Sequence, residues 1–403
     1  MKHIAITLLV LFVIACKQDI KINKLKKGTY RGLLKVNEAT DLPFSFKVIS
    51  ENKIHILNAE EVIEVDDVSY KYDSVFIKMP VFEGYLVAKI ENNALVGRFV
   101  KKGLNRVMGF SAEKSMIRFD RSESAKHDIS GHWETVFSPD SDTNKYMAKG
   151  TFSHKGNIVT GTFRTTTGDY RYLEGVLDGD QLKLSTFDGA HAFLFIAMVT
   201  DSSMVGTFYS GNHFQEPFVA KRNDTYELPD ANTLTFLKEG YDKVEFSFPD
   251  ETGTMVSLND ARFNNKVVLV QIMGTWCPNC LDESKFYSEF YKNNRDKDIE
   301  IVALAFEYVK TEDVAFNNIK RLKDKTGITY PILLAQYGSS SKVRAQEKLP
   351  MLNHVLSYPT TIFIDKKGKV RKIHTGFNGP ATKEKYVAFK KGFKTFVDVL
   401  LEE

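Results

Sequence analysis

Cys277 and Cys280 flank Pro278 and Asn279, and Trp276 stands immediately before them. Thiols spaced this way can exchange with a disulfide: one attacks, and the other, a helical turn further on, resolves the mixed disulfide that results. Zinc is the rival use of such a pair. It needs about four ligands, and the sequence has neither a second Cys-x-x-Cys nor a closely spaced His pair. A permanent structural disulfide would need neither the Trp nor any particular flanking elements, so redox chemistry is the expected use.

The flanking elements suit that chemistry. Lys266 to Met273 is an apolar run rich in β-branched residues and reads as a buried central strand. From Leu281 to Asn293, the residues Leu281, Tyr287, Phe290 and Tyr291 recur near one helical face, with Asp282 and Glu283 as acids of the first turn. The pair therefore sits where a strand becomes a helix. A thiolate at Cys277 would accept from free helix N–H groups and face the positive end of the dipole, so its expected pKa lies below the ~8.5 of a free cysteine. Cys280 is expected to be more buried and less reactive.

Further landmarks follow in order: Phe248-Pro249-Asp250-Glu251-Thr252-Gly253, the block from Lys266 to Cys280, Glu307 after the next strand, and Tyr358-Pro359-Thr360-Thr361-Ile362-Phe363-Ile364-Asp365. On these residues, the chain from about Lys243 to its end resembles the TlpA/ResA-like branch of the thioredoxin family, thiol-disulfide oxidoreductases of the bacterial cell envelope. The resemblance implies an α/β thioredoxin-like domain over 243–403, a central mixed sheet flanked by helices. It implies a cis bond before Pro359, facing the cysteines, so that an extended substrate pairs with the backbone at Tyr358. Trp276, Pro278, Asn279, Tyr358 and Pro359 then shape the substrate groove. It also implies that Glu307 lies under the pair and manages the proton of the buried thiol, which suits a carboxyl whose pKa burial has raised. The residues alone fit a solvent-facing Glu at a strand end equally well. Gln271 occupies the position where ordinary thioredoxins carry a buried Asp, and an amide cannot exchange that proton. In two further departures, Ser284 stands where relatives carry a helix-kinking Pro, predicting a straighter helix, and the bulky Tyr358 predicts a narrowed groove.

The remaining elements of this domain follow from periodicity. Ile299 to Phe306 reads as a second buried strand, and Thr311 to Thr326 as a helix capped by Thr311 and stopped by Gly327, with Ala315, Ile319 and Leu322 on one face. A strand at Ile332 to Leu334, a short helix near Ser340 to Glu347, strands Thr360 to Ile364 and Val370 to His374, and a closing helix from Thr382 to Leu401 complete it. Val244 to Phe248 and Met255 to Leu258 are expected as additional strands ahead of the redox segment.

At the other end, Lys2 and His3 precede the apolar stretch Ile4 to Ala15, shorter than the ~20 residues of a spanning helix, so residues 1–15 read as a secretory signal. Val13-Ile14-Ala15-Cys16 resembles a bacterial lipoprotein lipobox, which implies cleavage before Cys16 and lipid attachment there. Residues 16–27 read as the lipid-anchored tether, of which 17–27 is polar and basic and reaches ~36 Å if extended at ~3.3 Å per residue. From 28 to 222 the pattern is all-β, in runs such as Thr29 to Val36, Phe44 to Ile49 and Ser74 to Met79. Phe82-Glu83-Gly84 and Val96-Gly97-Arg98-Phe99 are echoed by Phe187-Asp188-Gly189 and Val205-Gly206-Thr207-Phe208. Two repeated meander halves, about 28–121 and 128–222, account for this, packed as a sandwich or closed as a barrel. His132, His154, His191 and His213 lack ligand spacing, and no catalytic constellation shows in this half. Residues 223–242, polar with a Pro, read as a linker.

The chain has 403 residues, 43% hydrophobic and 12% aromatic, which suits two or three cored domains and excludes a disordered protein. A net charge of +4 gives no footprint for nucleic acid. Of three cysteines, lipid accounts for Cys16 and the other two for each other. No cofactor and no metal are expected. The expected function is reduction of protein disulfides by a lipid-anchored enzyme of a bacterial, Bacteroidetes-like cell envelope, facing the periplasm. Reduction is the expected direction because Pro278-Asn279 brings no positive charge beside Cys277, so the thiolate lacks the stabilisation that makes strong oxidants. Its partners would be disulfide-bearing envelope proteins and a membrane thiol carrier as electron donor. Two alternatives stand beside it: a binding lipoprotein whose β domain captures a ligand with the redox domain as accessory, and a thiol peroxidase, which the Cys-x-x-Cys pattern disfavours.

Overall fold

The computed structural model describes residues 23–92 and 94–403; the expected signal sequence and lipidation site, residues 1–15 and Cys16, lie outside them. Gly28 to Lys114 forms one antiparallel sheet of nine strands. Its first strand, Gly28–Lys35, pairs on one side with Asp41–Ser50 and on the other with the last strand, Arg106–Lys114, so the first and last strands of this segment meet mid-sheet. Inward residues alternate as the period-two pattern requires, with Tyr30, Gly32 and Leu34 buried. Gly32 is required there, since a Cβ would come 2.6 Å from the Phe44 ring.

Gly131 to Arg222 forms a second sheet of nine strands, and this one closes. Ile158–Thr165 pairs with Leu173–Asp178 and also back with Tyr146–Lys155, so all the strands except the short Gly168–Asp169 flap form a continuous ring. Closure leaves the ring no free edge, and its interior is filled with aromatics: Trp133, Phe137, Phe163, Phe195 and Phe218 are fully buried. Of the two packings open to the sequence, this region takes the barrel. The two sheets are joined by buried polar contacts, including Asn58 Nδ2 donating to the Phe187 carbonyl at 2.9 Å and Arg118 pairing with Glu174 at 3.1 Å.

The C-terminal sheet has the strand order Ile332–Gln336, Ile299–Phe306, Val267–Met273, Thr360–Ile364, Val370–Thr375. The first three are mutually parallel, Thr360–Ile364 runs antiparallel to Val267–Met273, and Val370–Thr375 pairs antiparallel with Thr360–Ile364 and so runs in the direction of the first three. Every residue of Val267–Met273 and Ile299–Phe306 is buried, which is why both read as unbroken apolar runs. Helices α1 (Pro278–Lys292), α2 (Glu312–Thr326), α3 (Lys342–Lys348) and α4 (Glu384–Glu402) cover the faces. With Ser284 in place of Pro, α1 runs without interruption. Phe393 of α4 meets Phe286 and Phe290 of α1 edge-on at 4.9 Å.

Two sequence expectations differ in detail. The stretch 223–242 is not a free spacer along its length: Leu237 bridges to Leu352, Lys238 N donates to the Met351 carbonyl at 2.8 Å, and Thr375 Oγ1 donates to Thr235 Oγ1 at 2.8 Å. Its later half belongs to the α/β domain. Val244 to Phe248 is buried at Val244 and Phe246, but only Ser247–Pro249 pairs, with Met255–Ser257. Among the described residues no helix is long and apolar enough to cross a membrane.

Candidate active site

The central strand ends at Gly274, where a Cβ would come 2.4 Å from the Trp276 indole nitrogen, so the indole folds back and donates to the Phe306 carbonyl at 2.9 Å. Pro278 opens α1 at a position whose N–H would be unpaired anyway, leaving Cys277 as the N-cap. Its Sγ accepts from the Cys280 N–H at 3.2 Å, the geometry of a side-chain cap made by sulfur. Across the site, the Tyr358–Pro359 bond is cis, and Cys277 Sγ donates to the Tyr358 carbonyl at 3.3 Å. Tyr358 also meets Trp276 edge-on at 5.6 Å. Trp276, Cys277, Pro278, Asn279, Cys280, Tyr358 and Pro359 therefore come together as one cluster.

The two thiols are unequal. Cys277 keeps 6% of its surface exposed and Cys280 none. Burial pushes the Cys280 thiol well above its ordinary value, helped by the neighbouring Cys277 sulfur and the charge of Glu283. Both are free thiols here.

Two buried carboxyls support the pair. Glu307 is fully buried rather than facing solvent, and burial raises its pKa to about 7. Both its oxygens are taken by Thr275, one by the backbone N–H and one by the hydroxyl, each at 2.7 Å, so it fixes the turn two residues ahead of Cys277. Glu283, read from sequence as a first-turn acid serving the helix dipole, is instead fully buried against the sheet. It accepts from Gln271 Nε2 at 2.8 Å, Thr361 Oγ1 at 3.0 Å and Tyr287 Oη at 3.3 Å, and burial lifts its pKa to about 7 despite those bonds. Gln271 thus cannot exchange a proton itself but holds a group that can, while accepting from Ser284 Oγ at 3.1 Å. The signal for Glu283 was present: Cys280, Glu283, Ser284 and Tyr287 share one face at helical spacing, and that face meets the buried strand.

The Redoxin family profile matches residues 229–388. The thioredoxin-like protein YneN of Bacillus subtilis is 29% identical over 140 residues, 35% of this chain and 73% of that protein. The thiol-disulfide oxidoreductase ResA of Geobacillus thermodenitrificans is 30% identical over 142 residues, 35% of this chain and 72% of its own. The chain belongs to the ResA-like thiol-disulfide oxidoreductases. A solved thiol-disulfide oxidoreductase from Bacteroides fragilis overlaps 37% of this chain and 99% of its own at 21% identity, with a TM-score of 0.27. The Redoxin match begins after the last strand of the second β sheet.

In this oxidoreductase the β domain reaches the turn that holds the cysteine pair. The turn after strand Ile158–Thr165 packs on the start of α1 and on the cis-proline loop: Asn279 Nδ2 donates to the Asp169 carbonyl at 3.1 Å, Gly379 N to Asp169 Oδ2 at 2.6 Å, and Ser357 Oγ to the Thr167 carbonyl at 2.8 Å. Gly168, at φ +145°, makes the approach possible, because a Cβ there would lie 2.0 Å from Asn279 Nδ2. Arg171, fully buried, pairs with Asp282 of α1, with Glu61 of the first sheet at 2.6 Å and with Asp188 at 3.6 Å. Asp282, the other presumed dipole acid, is thus an interdomain anchor. Pro278-Asn279 supplies no cation, but Lys342, the first residue of α3, lines the same cleft as Cys277; desolvation lowers its pKa and the Cys277 charge opposes that. Sequence separation hid it, since Lys342 belongs to a different helix.

Proposed function

We propose that Cys277 and Cys280 carry the oxidoreductase activity as a dithiol acting on protein disulfides in the cell envelope. The observation that carries this is the placement of Cys277 Sγ: capping α1, beside the Tyr358 carbonyl, and the more accessible of two unequal thiols. In the reductive direction, the Cys277 thiolate attacks one sulfur of a substrate disulfide. That S–S bond breaks, a mixed disulfide forms, and the released sulfur leaves as a thiolate that takes a proton. Cys280 then gives its proton to Glu283, the acid whose charge bears on it, and attacks Cys277 Sγ. The Cys277–Cys280 disulfide forms and the second substrate thiol departs, so two electrons have passed to the substrate. A membrane thiol carrier would restore the dithiol. Glu307 holds Thr275, and through it the cysteine turn, in place; Trp276, Pro278, Asn279, Tyr358 and Pro359 bound the groove.

The envelope location rests on the signal sequence and Cys16, with lipid there holding the enzyme at a membrane facing the periplasm. The repeat reading of the β domain is supported by its strand order, in which each sheet pairs its first strand with its last. Pro278-Asn279 brings no positive charge beside Cys277, which favours reduction, while Lys342 on the cleft wall weighs the other way, so the direction is decided by potential. Equilibrating the mature chain with glutathione and dithiothreitol buffers tests it: about −250 mV or below supports reduction, and above about −180 mV points to oxidation or isomerisation. The exchange itself is tested by Cys280→Ser, expected to accumulate a mixed disulfide through Cys277; trapping through neither cysteine would refute it.

A further inference from the structure

The cleft over Cys277 has a volume of about 530 Å³, and one wall is not thioredoxin-like. Thr165 to Tyr170, Tyr146, His191 and Phe193 of the β domain face Trp276, Asn279, Lys342 and Tyr358 across it. The barrel mouth is a second cavity, of about 620 Å³, lined by Phe193, Phe208, Phe214 and Pro217, with Asn144 on its rim. The two cavities share Tyr146, Tyr170 and Phe193, so the route from Cys277 continues into an aromatic mouth. Phe214 stands in this mouth half exposed, at 50%, beside the buried Phe208.

The cleft also offers unused polar groups. Asn279 Oδ1 and Tyr358 Oη are buried and have no hydrogen-bond partner among the described residues. One is an acceptor and the other can donate, which is the complement of a peptide group. The position of the 165–170 turn is fixed by the Asn279, Ser357 and Gly379 contacts and by Arg171, so this wall is built into the fold.

Resting on the dithiol reading above, we propose that the barrel forms half of the substrate site. An extended peptide segment carrying the disulfide lies between the 165–170 turn and the cis-proline loop, its backbone meeting Asn279 and Tyr358. A large apolar side chain beside its half-cystine seats in the barrel mouth against Phe193, Phe208 and Phe214. A disulfide on the rigid surface of a folded protein does not reach a thiol that is 6% exposed at the base of this cleft, whereas an extended segment does.

The test uses the mature full-length chain and three probes: two synthetic peptides with the same intrachain disulfide, differing only in Phe or Ser beside one half-cystine, and glutathione disulfide. The Phe peptide is expected to exceed the Ser peptide in kcat/KM by about tenfold or more, the scale of burying one aromatic side chain. Phe214→Ser and Asn144→Trp, both at surface positions, are expected to bring that ratio close to one, the first by removing the seat and the second by filling it. Equal rates for the two peptides, an unchanged ratio in both variants, or glutathione disulfide outpacing either peptide would overturn the inference while leaving the oxidoreductase reading intact. Failure to turn over any of the three would sink both.

Discussion

Replacing Glu283 by Gln tests the buried acid where its environment is most specific. The carboxyl is fully buried and its pKa is raised from an ordinary 4.5 to about 7, chiefly by desolvation. The folded protein therefore binds this proton more tightly than the unfolded chain, so the stability it contributes is fully present below pH 4.5 and is lost as pH rises through about 7. At about 1.36 kcal/mol per pH unit, ionisation in this site costs the folded state about 3 kcal/mol at pH 8, of which about 2–3 kcal/mol develops above pH 5. Gln has the same shape, its oxygen can accept from Tyr287 and Thr361, and Gln271 can turn its amide to meet the new NH₂ group, so the substitution removes the charge without a cavity. The expected result, from denaturant titrations of the reduced protein followed by tryptophan fluorescence with Trp133 replaced by Phe in both proteins, is that Glu283→Gln gains about 2–3 kcal/mol on the Glu283 protein between pH 5 and pH 8. It is also expected to slow resolution of the mixed disulfide at neutral pH. A wild type and variant that differ by a constant amount across this range would refute the reasoning.

Other substitutions test the remaining contacts. Arg171→Ala strands Asp282, Glu61 and Asp188 without their shared cation and is expected to cost about 3–5 kcal/mol and to raise amide exchange at the start of α1; a loss below about 1 kcal/mol would show that the anchor is not made in solution. Gly168→Ala places a Cβ against Asn279 and is expected to destabilise the protein by about 1–3 kcal/mol and to expose Cys277 to alkylation, whereas unaltered alkylation would mean that the turn does not wall the cleft. Lys342→Met removes the cation on the wall of the Cys277 cleft, and the reaction of the reduced enzyme with an aromatic disulfide reagent at pH 6.5 is expected to slow several-fold. Unchanged kinetics there would place Lys342 outside the electrostatics of Cys277.

Much of the α/β domain is legible along the chain because its signals are local. The buried strands Val267–Met273 and Ile299–Phe306 are continuous apolar runs, and α2 starts at a Thr cap and stops at a left-handed Gly327 close to where its periodicity places them. The β half was legible as strands but not as an architecture. Alternating burial along a strand fixes which face is inward, yet it carries nothing about which distant strand closes the ring, and only the pairing of Gly131–Phe137 with Phe214–Arg222 decides that.

The cysteine pair shows the same division. Cys277 and Cys280, the strand before them and the helix after them follow from spacing and periodicity alone, because a Cys-x-x-Cys at a helix start is a one-turn device. Whether Asp282 and Glu283 serve the helix dipole or face the interior depends on what packs against α1. The sequence admits both, and burial against Gln271, Thr361 and Arg171 selects the second. The Gly168 turn meets Asn279 only when the domains dock, and Lys342 reaches the cleft of Cys277 from a separate helix of the same domain, so neither is signalled by local sequence. The sequence alone thus determined the chemistry that the cysteines can do, since it depends on two neighbouring residues and one helix. The tertiary structure decided the acid, the cation and the wall around them, since each is set by packing between elements that no local pattern relates.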